Sequence, residues 1–183
     1  MKQVHLLTGN LGKIKAANHI FNKYGIEVHP LALDIPEIQA DTSLDVAVDM
    51  VKKAFNLTGK AVIREDHSFY IDELGIPGPF MAYVDKRVST DSLLKILNTL
   101  SSRTGYFELS AAFADEDGKV SEFSYKVPIE FALEPKGDES QRWERLIKFP
   151  NDTKVFAEYN ESERVSTWSK NYEQIAQMIS ISN

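Results

Sequence analysis

Two carboxylates stand side by side in the segment VIREDHSFYIDELGIPGPF, which spans residues 62–80. Glu65 and Asp66 follow a short apolar run that is typical of a β-strand, so the sequence predicts them at the end of that strand. Adjacent carboxylates repel each other unless a positive charge or water lies beside them. The candidates for a positive partner are a metal ion and a basic side chain. The alternative is a solvated loop pair or a helix cap without a catalytic role.

Acidic side chains of this kind are suited to a magnesium ion. Mg²⁺ is a hard cation that takes oxygen ligands, keeps several waters and commonly shares a substrate phosphate. A carboxylate beyond the ligands can take a proton from an attacking water. Glu37, in the segment DIPEIQ, is a third acidic candidate, although an exposed loop glutamate is the commoner case. The residues leave open which of Glu65 and Asp66 would be a ligand and which a base.

A second candidate site follows the first apolar run. Thr8, Gly9 and Asn10 form a turn between a predicted strand and a predicted helix, and Lys13 falls in the first turn of that helix. A helix N-terminus favours an anion through its amide groups and its dipole, and a lysine there adds a full positive charge. The segment therefore predicts a phosphate-binding turn. The alternative is a plain turn with a solvated lysine, since it lacks the longer glycine-rich loop that ends in Gly-Lys-Ser/Thr.

Other segments give weaker signals. Residues 75–79, Gly-Ile-Pro-Gly-Pro, could bring backbone close to a ligand or form an ordinary connection. His67 and Ser68 are sequence neighbours, which cannot face each other as members of a catalytic triad. The chain has no cysteine, which excludes disulfides, thiolate catalysis and cysteine-ligated zinc. The histidines show no metal-ligand spacing, and we assign them no catalytic role; they are His5, His19, His29 and His67.

The first third of the chain alternates strand and helix signals, which favours an α/β sheet with some parallel pairing. Gly25 and Gly59 are placed to end two helices, and Thr42 with Asp45 fits a capping box at the start of the second helix. The predicted elements, in order, are a strand at 4–7, a helix at 13–24, a strand at 26–33, a helix at 42–58 and a strand at 61–64.

The rest of the chain mixes helix and hairpin signals. Asp117-Gly118 between two extended runs is a strong hairpin signal. The whole pattern predicts a mixed α/β fold, with helices flanking a mixed sheet, in a single domain of two lobes with a central cleft. The predicted elements are a helix at 91–100 with Leu94, Leu97 and Leu100 as its apolar row, strands at 105–114, 119–127 and 129–133, and a helix at 169–181.

The composition excludes several classes of protein. The chain has 183 residues, 43% of them hydrophobic, which fits one globular domain and argues against disorder. Its formal net charge of −6 disfavours nonspecific binding to a nucleic-acid backbone, but it allows a small phosphorylated ligand in a local basic pocket. No apolar run approaches the length of a membrane span, and the N-terminus does not read as a signal peptide. We therefore expect a cytoplasmic protein that binds neither nucleic-acid polymers nor membranes.

The order of these motifs resembles the inosine triphosphate pyrophosphatase family. Its members begin with Thr-Gly-Asn-x-x-Lys and carry an acidic residue before the second helix. An acidic pair follows the third strand, and a Leu-Gly-Gly-x-Pro-Gly loop comes next. The matching positions cover nearly the whole chain and are, in order, Thr8, Gly9, Asn10, Lys13, Glu37, Glu65, Asp66, residues 74–78 with one glycine missing, residues 135–137 and residues 156–158.

The resemblance implies a fold, a reaction and a set of roles. It implies an elongated mixed sheet and a nucleotide in the cleft, with a non-standard purine nucleoside triphosphate, such as inosine or xanthosine triphosphate, hydrolysed to monophosphate and pyrophosphate. It implies that Lys13 and the turn hold the phosphates. Glu37, with Glu65 or Asp66, would hold Mg²⁺ or Mn²⁺. Asp66 would be the base, in a catalytic group with Glu65 and Lys13. The family also suggests a homodimer.

The C-terminal half departs from the family where its members bind the base. A Phe-Gly-Trp/Tyr-Asp-Pro segment, a Lys-Asn pair and a Ser-His-Arg segment are replaced, respectively, by QRWER at 141–145, by residues 164–165 and by residues 168–170.

Three residues of this half are substrate-binding candidates by the same resemblance. Trp143 would stack on the base, and Ser169 and Lys170 stand where the family places the donors that read a 6-oxo group. Core packing is the alternative for Trp143 and for Trp168. Lysine lacks the planar fork of arginine, so the sequence predicts altered base selectivity.

Two classes of function remain: a Mg²⁺-dependent nucleoside triphosphate pyrophosphatase and a non-catalytic nucleotide-binding protein of the same fold. The joint presence of Lys13, Glu37, Glu65 and Asp66 favours the enzyme, because a protein that only binds has little need of a positioned base.

Overall fold

The computed structural model of the chain describes residues 2–160, 163 and 167–181. The helices are α1 (Leu11–Phe21), α2 (Ser43–Thr58), α3 (Met81–Asp85), α4 (Thr90–Leu97) and α5 (Lys170–Ile181), with short 3-10 helices at Asn22–Tyr24, Glu139–Arg145 and Phe156–Glu158. The strands are β1 (Lys2–Leu7), β2 (Ile26–Leu31), β3 (Val62–Ile71), β4 (Ile76–Gly78), β5 (Thr104–Ala114), β6 (Val120–Phe131) and β7 (Ile147–Lys148).

Within the described residues the strands form one seven-stranded sheet. Its order is β2-β1-β3-β5-β6-β7, and β4 pairs with β3 beside this path. β1 is parallel to both β2 and β3, whereas the pairs β3–β4 and β6–β7 are antiparallel. The sheet is therefore mixed and flanked by helices, as the sequence predicts.

The chain divides into two compact units. The first contains the described residues up to Asp66, Leu109–Tyr125 and residues 167–181. The second contains His67–Glu108 and the described residues from Lys126 to 163. The strands β3, β5 and β6 contribute residues to both units. That residues 1–183 act as a single two-lobed domain stays a prediction.

Helices cover both faces of the sheet in the first unit. On one face α1 and α5 pack against the strands, with Phe21, Tyr172 and Ile63 in one buried cluster. On the other face α2 packs, with Met50 and Val62 in a second cluster. Since successive side chains of a strand point to opposite faces, Val62 and Ile63 show which side each residue of β3 takes.

The predicted helix ends are confirmed. Gly25 ends the 3-10 helix that continues α1 after Phe21, and Gly59 ends α2; their φ values of 65° and 64° are in the left-handed conformation that favours glycine. At the start of α2 the Thr42 hydroxyl accepts from the Asp45 amide at 3.1 Å and donates to the Asp45 carboxylate at 2.6 Å. The two residues thus cap the helix, although Asp45 binds the Thr42 hydroxyl where a capping box would use the Thr42 amide.

The prediction that β3 ends before the acidic pair was wrong. The strand continues to Ile71, so Glu65 and Asp66 lie inside it. The polar residues after position 63 interrupt the apolar pattern from which a strand is recognised. The fold nevertheless buries two of them, Glu65 and Ser68.

Two further predictions are corrected. The strand expected at 129–133 is the end of β6, which runs without a break to Phe131. The helix α4 begins one residue earlier than predicted, after the cap Ser89, and ends at Leu97, and its buried leucines are Leu93 and Leu97. The hairpin and the C-terminal helix are confirmed. Among the described residues, no helix is both long and apolar enough to cross a bilayer.

Candidate functional site

The turn Thr8–Asn10 occupies a favourable position for a ligand. It follows β1, which lies between the parallel strands β2 and β3, while α1 and α2 cover opposite faces. At such a switch point the connections leave the strand ends in opposite directions and open a crevice beyond their carboxyl ends. A cavity of about 430 Å³ lies there, lined by Leu7, Thr8, Gly9, Leu31, Ala32, Leu33, Asp34, Ile35, Glu37, Met50 and Arg64.

The turn is ordered by its own side chains. Asn10 Oδ1 accepts from the amides of Gly12 and Lys13 at 2.8 and 3.3 Å, and Thr8 Oγ1 accepts from the Asn10 amide at 3.1 Å. Asn10 therefore caps two of the helix-start amides that were expected to serve as donors for an anion. Above Gly9, in contrast, an added Cβ would meet no atom within 4 Å, so this side of the turn is open.

Lys13 connects the turn to β3. Its Nζ donates to the backbone oxygen of Glu65 at 2.8 Å and lies 3.9 Å from Glu65 Oε2. The Tyr172 hydroxyl donates to the same Oε2 at 2.8 Å. Burial, together with the adjacent Glu65 carboxylate, holds the pKa of Tyr172 well above its usual range, so this hydroxyl stays a donor. The sequence left a metal ion and a basic side chain as candidate positive partners of Glu65, and in the structure the partner is the basic side chain of Lys13.

Glu37 pairs with an arginine that the sequence analysis did not single out. Arg64 donates through Nη1 to the Leu7 backbone oxygen at 3.1 Å and through Nη2 to the Glu37 carboxylate. The Arg64 side chain is 16% exposed and that of Glu37 is 52% exposed. Both line the cavity with Thr8 and Gly9, so a second positive charge belongs to this site. The sequence signal that could have found Arg64 is a charged residue directly after the buried pair Val62-Ile63.

The acidic pair separates onto two faces of β3. Glu65 follows Ile63 on the side of α1 and α5, whereas Asp66 shares the side of Arg64 and Val62. The Glu65 side chain is 1% exposed, and Asp66 is half-buried. Strand geometry therefore keeps the two charges apart without a cation between them.

The structure does not gather the three predicted metal ligands. Within residues 2–160, 163 and 167–181, no three acidic or histidine side chains form a metal-binding group. Mg²⁺ requires only one or two carboxylates when water and substrate phosphate complete its shell. Glu37 pairs with Arg64, and Asp66 lies on the same face of β3 as Arg64. Glu65 instead contacts Lys13 and Tyr172.

Trp143 belongs to the core of the second unit. The residue is only 3% exposed, and its Nε1 donates to the Val88 backbone oxygen at 2.8 Å. Its ring lies 6.3 Å from that of Phe69, between centroids. These contacts favour the core-packing alternative over a stacking platform, since a ring buried on both faces offers no surface to a base.

The other two base-binding candidates lie at the start of α5. Ser169 is buried, and its backbone oxygen accepts from the Glu173 amide. Lys170 is exposed. Its Nζ contacts the Tyr125 hydroxyl and lies 4.0 Å from the centre of that ring. Residues 164–165, where the sequence departs from the family's Lys-Asn pair, lie outside the described residues.

Comparison with known proteins identifies the family. The sequence model of the Ham1 family matches residues 4–179. The chain belongs to the Ham1 family. A relative from Ignicoccus hospitalis, named dITP/XTP pyrophosphatase, is 32% identical over 185 residues, covering 98% of this chain and 97% of the relative. A protein of the same name from Methanopyrus kandleri is 31% identical, covering 88% and 87%.

Solved Ham1 structures share the fold. A HAM1 protein from Coxiella burnetii superposes with a TM-score of 0.79 at 20% identity, covering 98% of each chain. The Ham1 protein of Staphylococcus aureus reaches 0.77, also at 20% identity, covering 97% of this chain and 98% of the other. The predicted mixed α/β architecture is therefore the fold of the Ham1 family.

Proposed function

We propose that this chain hydrolyses non-standard purine nucleoside triphosphates, such as inosine and xanthosine triphosphate, to the monophosphate and pyrophosphate. The observation that carries the proposal is the placement of Thr8, Gly9 and Lys13 at the switch point of the sheet, beside a cavity with Glu37 and Arg64. The names of the relatives, dITP/XTP pyrophosphatase, support this class of substrate.

In this proposal the positive groups bind the polyphosphate. Lys13 and the open side of the turn at Gly9 contact phosphate oxygens, and Arg64 adds a second cation at the cavity. Charge-assisted hydrogen bonds to phosphate are among the stronger polar contacts, and an arginine can make two in parallel. Their combined effect is to hold the substrate so that its phosphoanhydride bond faces the carboxylates.

Asp66 is the base of the proposed reaction. Water forms a new bond to phosphorus, the anhydride bond between the α- and β-phosphates breaks, and pyrophosphate leaves with the bonding electrons. Asp66 takes the proton that the attacking water loses. Its half-buried place on the Arg64 side of β3 suits this role better than the buried place of Glu65.

Glu37 is the carboxylate that would hold Mg²⁺ or Mn²⁺, together with water and substrate phosphate, while Asp66 is kept as the base. When bound, such an ion neutralises polyphosphate charge and stabilises the charge that develops on the leaving pyrophosphate. The pairing of Glu37 with Arg64 keeps this carboxylate compensated before an ion binds. A homodimer and a cytoplasmic location remain predictions from the sequence alone.

The experiment that tests the proposal separates turnover from binding. Inosine triphosphate is incubated with the protein and Mg²⁺ while pyrophosphate is measured, and binding of the same nucleotide is measured by calorimetry with Ca²⁺ in place of Mg²⁺. We expect both binding and pyrophosphate release. Binding without release would instead support the non-catalytic nucleotide-binding protein.

A further inference from the structure

We propose that Tyr172 and Glu65 position Lys13 for the triphosphate, with Glu65 serving as the counter-ion of Lys13. This inference rests on the proposed function, because it assigns Lys13 to the substrate. Neither Tyr172 nor Glu65 needs to touch the nucleotide, so both are positioning residues.

Two contacts with β3 restrict Lys13. A lysine side chain is a flexible four-carbon stem with a point charge at its end, so it needs acceptors to fix where that charge lies. The Glu65 backbone oxygen accepts from Nζ at 2.8 Å, and the carboxylate stands 3.9 Å away. The Lys13 side chain is 19% exposed, so it is not sealed from solvent.

The Tyr172 hydroxyl sets how strongly Glu65 attracts Lys13. A buried carboxylate requires donors or opposite charge, since its desolvation is otherwise costly. Tyr172 provides one donor to Oε2 at 2.8 Å, and the longer 3.9 Å separation between Oε2 and Nζ shows that Lys13 provides charge without a close ion pair. Without the hydroxyl, the carboxylate would draw Nζ toward itself and away from a phosphate.

The contact between Tyr172 and Glu65 joins residues that are far apart in the sequence. Tyr172 lies 107 residues after Glu65, on the helix α5 that packs against the same sheet face as α1. Its ring is fully buried beside Phe21 of α1, with ring centres 6.1 Å apart, so the position of the hydroxyl is fixed by packing. The packing of α5 against the sheet therefore influences the position of Lys13, through the contact between Tyr172 and Glu65.

The test is Tyr172→Phe, which keeps the ring and removes the hydroxyl. We expect KM for inosine triphosphate and the Kd of inorganic tripolyphosphate each to rise about tenfold, because the Glu65 carboxylate, having lost a hydrogen bond, then competes with phosphate for Lys13 Nζ. We expect kcat and the Mg²⁺ concentration for half-maximal activity to change by less than about twofold, because neither the base nor the metal carboxylate is touched.

Tyr24→Phe is the matched control. The Tyr24 hydroxyl accepts from Gln177 Nε2 at 3.3 Å, so this variant also removes a tyrosine hydroxyl that contacts α5 but leaves Glu65 unchanged. It should keep the wild-type KM and Kd. Equal effects of the two variants would mean that loosening of α5 is responsible, and would overturn the inference.

Glu65→Gln gives a second and independent test, which also serves if Tyr172→Phe does not fold. We expect it to lower the Kd of tripolyphosphate at unchanged Mg²⁺ dependence, because the neutral side chain no longer competes with phosphate for Lys13 Nζ, which keeps its contact with the Glu65 backbone oxygen. An increase of tenfold or more in the Mg²⁺ requirement, with tripolyphosphate binding unchanged in metal-free buffer, would make Glu65 a metal ligand and overturn the inference. If the wild-type protein does not hydrolyse the nucleotide, the proposed function fails. An active wild type with unaltered KM and Kd in both variants refutes this inference alone.

Discussion

At the scale of single residues, the neighbours Glu65 and Asp66 have different environments. The buried Glu65 carboxylate is compensated by the Tyr172 hydroxyl and by the charge of Lys13. Asp66 lies on the other side of β3, half-buried, beside the position of Arg64. Two identical charges that are adjacent in the sequence thus lie in two different environments, because alternation along a strand sends adjacent side chains to opposite faces.

This separation makes Asp66→Asn an informative variant. It keeps the shape of the side chain and removes the base, so we expect kcat to fall by about a hundredfold or more, the usual size for loss of a general base. Tripolyphosphate binding should survive. The measurement is steady-state pyrophosphate release. Glu65→Gln is measured in parallel, and we expect this variant to change the Kd of tripolyphosphate more than kcat. Normal turnover of Asp66→Asn would show that the base lies elsewhere.

At the scale of elements, one hairpin turn fits closely against a helix. Gly118, in the turn between β5 and β6, has a φ of +79°, and a Cβ there would lie 2.5 Å from Cε1 of Phe55 on α2. Gly118→Ala should therefore combine left-handed backbone strain with a steric clash. We expect a loss of about 2–4 kcal/mol in the free energy of unfolding, measured by urea denaturation.

Gly59→Ala separates the two causes. Gly59 has a similar φ of +64°, but an added Cβ meets nothing within 4 Å. This control should lose only about 1–2 kcal/mol, the cost of the left-handed conformation. Equal losses in the two variants would show that Phe55 moves aside and that the turn is not held against α2.

The same elements show which features the sequence predicts. The boundaries of α1 and α2 follow from local signals, such as Gly25 and Gly59 at their ends, and these signals act within a few residues of the chain. The continuation of β3 through its polar residues could not be predicted in this way, because burial by other elements sustains it.

The residues of the candidate site show the same contrast between local signals, which the sequence reveals, and distant partners, which it does not. Lys13 and Glu37 belong to recognisable motifs; in the structure Glu37 lines the cavity and Lys13 contacts the backbone of Glu65. Arg64 and Tyr172 escaped prediction because their partners are distant in the sequence. Arg64 binds the backbone 57 residues away, and Tyr172 binds a carboxylate 107 residues away. A single sequence carries no local signal for such pairs.

At the scale of the whole molecule, the chain keeps the Ham1 fold while its C-terminal half changes. Selectivity for a 6-oxo base requires donors that a 6-amino group would leave unpaired, and such unpaired buried groups can discriminate strongly. The sequence resemblance implies that Ser169 and Lys170 stand where the family carries a histidine and an arginine. Lys170 is exposed, its Nζ contacts the Tyr125 hydroxyl, and it lacks the planar fork of arginine.

We therefore expect weak discrimination between bases. The measurement is kcat/KM for inosine, xanthosine, adenosine, guanosine and pyrimidine triphosphates under one condition. The ratio for inosine over adenosine triphosphate should stay below about a hundredfold, the level that shape alone can reach without matched donors. A preference of several hundredfold or more would mean that other groups, such as the backbone near residues 136–143, read the 6-oxo position.

The most direct test of the proposed function is the stoichiometry of the wild-type reaction with inosine triphosphate and Mg²⁺. Products are separated by anion-exchange chromatography while phosphate and pyrophosphate are measured independently. We expect one monophosphate and one pyrophosphate for each triphosphate consumed, with activity lost in excess chelator and restored by Mg²⁺ or Mn²⁺. Formation of diphosphate with orthophosphate, or no consumption of any non-standard nucleotide, would contradict the account. Full activity in excess chelator would contradict the assignment of Glu37 to a metal.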